Sequence, residues 1–438
     1  MSGGNAWDDL QVMESDTMGH VGKVYNPLVT VCCYNDFKEL AHRPRGQQSE
    51  HLLYTYQLDL RDGSLTLLSV TDGVGTKNPA FVRGHPDKPL LYVCTETLGE
   101  NGKILSYETS PSGKLTLVGS VDAEGTSTCY LTVDKNSKHL IAVNYWNSSV
   151  VSFPINKQTG LIETSTSVYH PNGGTGGSMQ VQVGQHVNHS LNDENAKRQR
   201  QLDPHTHAVV IDPYYGCIAY VPDLGMDVMH ELYYNPESGV LTRIGEISVG
   251  ATGVSHGPRY IEFHPTLPVC YVVNEISSVV AVFQVAVETI AEISSHGGLT
   301  PSCEKAGLRY HTLKPLQQLS TIPDAFSSEL NTCSRITVHP SGLYVVVSNR
   351  GHNSLAVFRI QVRNKGKLRL VGLFHTRGQT PRHFQFDKTG QWLIVANQDT
   401  NTLVVFNFNV SDGSLSFTNN VYSLSSPNFV CCHYEPCV

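Results

Sequence analysis

Residues 384 to 417, FQFDKTGQWLIVANQDTNTLVVFNFNVSDGSLSF, hold three apolar segments: the first ends in a turn, the second ends at Asn397, and the third runs into a hairpin at Asp412-Gly413. The same phrase recurs at 336 to 372, ITVHPSGLYVVVSNRGHNSLAVFRIQVRNKGKLRLVG. One four-stranded unit cannot bury its faces alone, so a period of about 45 residues made only of short strands predicts a radial array of sheets. Working outward, units begin near Asn78, Thr128, Pro204, Gly257, Asn331 and Thr380. The seventh is split. SPNFVCCHYEP at the carboxyl end matches the opening of NPAFVRGHPDKP, whereas the early LVTVCCYND matches the segment that follows it, LLYVCTETL. A first blade built from Pro427 to Cys432 plus strands near residues 28, 51 and 64 closes the ring and leaves no free edge. The expected fold is therefore all-β, a seven-bladed β-propeller of four-stranded antiparallel blades.

Each unit ends in a hairpin with Gly at its tip, as in DLRDGSLTL and VSDGSLSF, and these glycines are read as structural. None sits between a strand and a helix in a way that would cradle a phosphate. Residues 1 to 27 form an N-terminal extension without the apolar segment of a signal peptide, and residues 28 to 438 form one propeller. Two stretches break the period, about 170 to 203 and about 288 to 330. The second predicts a short helix around Ile290 to Ile293; the first leads into a pair of histidines and reads as a lid or binding loop.

Of 438 residues, 16% are charged, and the net charge is -7. That balance argues against a nucleic-acid surface, which needs a basic stripe, but leaves room for a local basic pocket. No run approaches the roughly 18 to 20 apolar residues of a membrane helix. The 11 cysteines follow no metal-ligand or secretory spacing, so they are expected to be reduced core thiols in a cytoplasmic protein. Oligomeric state is left open.

In an antiparallel blade the start of the first strand and the end of the second lie at the same end of the channel. One face of the ring thus gathers Asn78, His205, His207, Arg259, Arg382 and Asn428 with Glu96, Asn144, Asp223, Asn274, Glu275, Arg350 and Asn397. Asn35, Asn144, Asn274, Asn349 and Asn397 recur at what the repeat makes equivalent positions, and a side chain repeated in most blades is best explained by capping one turn. His207, Arg259, Glu275, Arg350 and Arg382 differ from their sister blades. Several arginines at one mouth exceed what one or two carboxylates neutralise, and guanidinium forks answer carboxylate or phosphate ligands. His205-x-His207 with His186 or His189 would be the one candidate metal set, and it is the weaker reading.

The segments DPHTHAVVIDPYYGCIAYVPDLGMD, GPRYIEFHPTLPVCYVVNE, VHPSGLYVVVSNRGHNSLAVF and TPRHFQFDKTGQWLIVANQDTNTLVVF resemble the seven-bladed propeller lactonase family. That family includes propeller-type 6-phosphogluconolactonase and 3-carboxy-cis,cis-muconate cyclase. The resemblance implies catalytic roles for His207, Arg259 and Glu275, with Arg350 or Arg382 as a later arginine. It implies hydrolysis of a small anionic sugar lactone, with 6-phosphogluconolactone foremost, by a base (His207 or Glu275) and anion-holding arginines, with no metal, cofactor or covalent nucleophile. Arg350 is taken with the catalytic group, and Arg382, His205, Asn144 and Asp223 as substrate contacts. Tyr260, where the family often has His, and Cys129 depart from the pattern and leave the substrate open. Two alternatives stand: a lactone-forming muconate cycloisomerase, and a non-catalytic binding propeller.

Overall fold

The hairpin glycines do what their position demands: Gly63 at φ 72° and Gly413 at φ 81° occupy the left-handed region, turning each third strand into its outer partner. The computed structural model describes residues 27–73, 75–171, 200–250, 253–298 and 310–433. These form seven four-stranded sheets, paired antiparallel throughout. Numbered around the ring, blade one joins Pro427–His433 to Leu28–Cys33, Leu53–Leu58 and Leu65–Thr71. The carboxyl-terminal strand takes the channel position, so the ring is closed by sheet hydrogen bonds between the two ends of the described chain.

Strand composition follows position in the blade. Second strands such as Leu90–Thr95, Val269–Asn274 and Trp392–Asn397 are buried at every residue, which is why they read as unbroken apolar runs. Outer strands such as Leu115–Asp122 are exposed along most of their length. Blade three is short outside, ending in Ser167–Tyr169. In blade five the helix Val287–His296 sits between the third strand and the outer strand Leu313–Ser320, with Ile290 and Ile293 buried beneath it. The predicted helix is present, but part of the 288 to 330 stretch is thus blade rather than insertion. Most of the 170 to 203 stretch lies outside the described residues, as do His186 and His189.

First strands carry a regular irregularity. Pro258 faces Asn274 and Tyr260 faces Val273, so the pairing skips Arg259. It skips Arg382 in blade seven, Cys129 in blade three and Asn428 in blade one in the same way. Such a bulge frees one residue from the ladder and re-aims its side chain. Here it repeats at the channel mouth.

The repeated asparagine also has a structural explanation. Asn144, Asn349 and Asn397 donate from Nδ2 to the carbonyls of Ala123, Thr321 and Thr376, at 2.9, 2.7 and 3.0 Å. Each clamps the link arriving from the preceding blade. Asn35 is not one of this set: Cys33 holds the corresponding place opposite Pro427, and Asn35 instead exchanges hydrogen bonds with Asn78.

Candidate active site

Where an asparagine ends a second strand, the next residue points over the channel. In blade five that residue is Glu275, fully buried, its own N–H held by the Gly257 carbonyl at 2.6 Å. Its Oε2 accepts from Arg259 Nη1 at 2.5 Å and faces Arg350 Nη2 at 3.0 Å; its Oε1 accepts from Arg200 Nη1 at 2.5 Å. Arg350 also donates to the Cys333 carbonyl at 2.9 Å. One carboxylate therefore gathers guanidiniums from two blades and from the residue at which the described chain resumes.

Arg259 Nη1 also hydrogen-bonds His207 Nε2. A guanidinium only donates, so Nε2 is the lone-pair nitrogen and the proton sits on Nδ1, which faces Cys129 Sγ at 3.8 Å. Burial first, and Arg259 next, hold His207 well below the usual histidine range, so it is a neutral imidazole at pH 7. Burial alone would raise Glu275, but Arg350, Arg200 and Arg259 overcome it and hold the carboxyl well below its ordinary range. Burial, with Arg259, Arg382 and Arg200 adding to it, pushes the Arg350 guanidinium down to about 9 despite Glu275. It remains charged at neutral pH, in a crowded cationic site.

Across the cavity, Arg382 Nη2 lies 3.7 Å from Glu96 Oε2, which accepts from the Tyr34 hydroxyl at 2.6 Å. Among the described residues, Arg200, Arg259, Arg350 and Arg382 border the cavity with only Glu96 and Glu275, leaving two guanidiniums in excess. Rings of the next channel position meet beneath: Phe81 packs on Tyr130 at 4.5 Å and on Phe429 at 4.3 Å, and Tyr130 on Tyr260 at 5.5 Å.

Of the residues expected from sequence, His207, Glu275, Arg259, Arg350 and Arg382 border this one cavity. Asn144, Asp223 and His205 do not. Asn144 spends its amide on the blade link, on Ser149 and on Thr128, whose hydroxyl it accepts at 2.6 Å. Asp223 receives the N–H groups of His205, Gly225 and Met226 and faces His230, so it caps a turn. The His205 ring stacks on Tyr145 at 4.6 Å and on Trp146 at 4.9 Å, bracing two cavity walls. Among the described residues no group of three or more His, Cys, Asp or Glu is gathered as for a metal ion.

Tyr34, His42, Tyr145, Trp146, Arg200 and His383 border the cavity without having been singled out from sequence. Tyr34 and Tyr145 were legible in principle, since each directly follows a second strand as Glu96 and Glu275 do. Arg200, in a polar stretch outside the repeat, carried no signal.

The seven blades form a propeller with an arginine-lined cavity at one channel mouth. The chain belongs to the 7-bladed β-propeller lactonase family, whose model matches residues 31–432. It is 29% identical over 376 residues to a 6-phosphogluconolactonase of Bacillus subtilis (strain 168), spanning 86% of this chain and 92% of that protein. A 6-phosphogluconolactonase of Formosa agariphila is 25% identical over 367 residues, spanning 83% and 90%. Among solved structures, the periplasmic gluconolactonase of Pseudomonas aeruginosa superposes with a TM-score of 0.71 at 23% identity, covering 93% of this chain and 99% of that one. This last likeness is one of fold.

Proposed function

We propose that this protein hydrolyses a small anionic sugar lactone, with 6-phosphogluconolactone the foremost substrate. The observation that carries the reading is a buried carboxylate holding three arginines beside a neutral histidine, in a cavity with two guanidiniums in excess. An anionic ligand relieves that excess, and the names of the relatives supply its chemical class.

His207 is the better of the two candidate bases. Glu275 is spoken for by three cations and is too acidic to take a proton near neutrality, whereas His207 is a neutral imidazole with its lone pair on Nε2. That lone pair is held by Arg259. A substrate anion that draws Arg259 toward itself frees Nε2 to accept a proton from water as the water attacks the ring carbonyl. The same charge offsets Arg259 and raises His207 toward the useful range. Arg259 and Arg350 then face the developing oxyanion, and Glu275 keeps both guanidiniums in place. The ester C–O bond breaks to give the open-chain acid, and the proton on His207 passes to the leaving alkoxide.

The nine described cysteines are all unpaired, which supports a reducing, cytoplasmic compartment. Among the described residues no helix is long and apolar enough to cross a membrane. The direct test is 6-phosphogluconolactone opening by purified protein, followed as acid release with a chelator present. Turnover that survives His207→Ala and Glu275→Gln together sinks the assignment.

A further inference from the structure

Arg200, Arg259 and Arg350 gather around Glu275 on one side of the cavity. On the side formed by blades one, two and seven, where Arg382 lies beside Glu96, the chemistry is set by polar groups that are left unused. His383 Nδ1 accepts the Val430 N–H at 3.2 Å, so its proton must lie on Nε2, and Nε2 is buried without a partner. Asn428 Nδ2 donates to the Pro79 carbonyl at 2.9 Å, so Oδ1 is an acceptor, again buried and unpartnered. His42 Nε2 is also buried and unpartnered, and donates or accepts according to its tautomer. Beside them Glu96 presents a carboxylate whose Oε2 already takes the Tyr34 hydroxyl. His42, Glu96, His383 and Asn428 all border the cavity, and each is at least nine-tenths buried.

A buried polar atom left unsatisfied forfeits its hydration without a replacement, so a set of them facing one cavity points to a ligand that fills it. The filler here needs both donors and acceptors. Phosphate and carboxylate oxygens accept but cannot donate to Glu96 or to Asn428 Oδ1. Hydroxyls meet both needs: one can donate to Glu96 and another to Asn428 Oδ1, and either can accept from His383 Nε2–H.

We propose that Glu96, Asn428, His383 and His42 form a hydroxyl-binding subsite that orients a polyhydroxylated ligand whose anionic group lies among Arg200, Arg259 and Arg350 opposite. This deepens the lactonase reading and rests on it for the bound end, and it makes the cavity selective for sugar-derived acids over hydroxyl-free polycarboxylates. Burial and the nearby arginines keep His42 and His383 neutral, so neither adds charge to the subsite.

Two ligands of equal charge and chain length separate the terms: 6-phosphogluconate, and 6-phosphooxyhexanoate, which lacks the hydroxyls. Calorimetric titration of the full-length protein is expected to show the polyol binding about tenfold tighter or more. His383→Phe, which keeps the ring that stacks on Phe429, removes most of that ratio while the Kd of the hydroxyl-free ligand stays within about twofold; Glu96→Gln, which also removes a negative charge from the cavity, lowers the ratio while tightening the hydroxyl-free ligand. Equal affinity for the two ligands in the unmodified protein overturns the proposal, as does a variant that weakens both equally. A protein that opens no lactone yet keeps the preference leaves the subsite standing and removes the lactonase reading.

Discussion

Replacing Glu275 with Gln leaves three guanidiniums in a buried site without their counter-charge. Breaking a buried ion pair from one side costs roughly 3 to 5 kcal/mol, so Glu275→Gln is expected to lower the melting temperature well beyond a surface change. It also lowers kcat more than it raises KM, because the anion is attracted more strongly while the arginines lose their common tether. His207→Ala removes the base and is expected to cost about 10²- to 10⁴-fold in kcat with little loss of stability. The pH profile tests the same residue. In the free enzyme burial and Arg259 keep His207 neutral below pH 6.5, so the acid limb of kcat/KM should lie below that value. With the anion bound, the limb of kcat moves to higher pH. Limbs that coincide, or a kcat/KM limb above 6.5, speak against His207 as the base.

At the scale of elements, two local geometries hold the site. Gly351, directly after Arg350, has φ 125°, and a Cβ there would stand 1.9 Å from the Leu330 carbonyl oxygen. Gly351→Ala must move that backbone and Arg350 with it, so a drop in kcat should accompany a stability loss of about 1 to 3 kcal/mol. The bulges at Arg259, Arg382, Cys129 and Asn428 are the second device. They show why part of the site was legible. Residues at strand starts stood out because Arg259 and Arg382 differ from Cys129 in an otherwise repeated frame. Asn144, by contrast, belongs to the frame itself, and its clamp on Ala123 leaves nothing for a ligand. His205 and Asp223 are rim residues by sequence position, but a stack and a turn absorb them.

The whole molecule depends on one closing strand. Pro427–His433 pairs with Leu28–Cys33, and its Phe429 packs on both Phe81 and His383. Ending the chain at Leu424 opens the ring and strips one wall of the cavity. Loss of a cooperative thermal transition is the expected result. Acid sensitivity is also a property of the assembled core. Burial lowers His42, His207 and His383 well below the ordinary histidine value and brings His433 to about 4. The unfolded chain takes up protons at these sites near pH 6.5 and the folded chain does not, so their stabilisation is complete above that pH. It is lost as pH falls toward 4, by about 1.4 kcal/mol per pH unit for each histidine. Melting temperature should therefore fall steadily from pH 6.5 to 4, and less steeply in His383→Phe.

Periodicity alone determined the number of blades, the split first blade and the face of the ring that carries charge, because each of these follows from where apolar runs and turns repeat along the chain. Tertiary structure alone decided which rim residues share a cavity. Arg200 reaches Glu275 from outside the repeat, and Tyr34 meets Glu96 across 62 positions of sequence. The orphaned nitrogen of His383 exists only because Val430, 47 residues away, occupies the other one. A side chain's aim is set by bulges and by neighbours from other blades, and neither is written in its own segment.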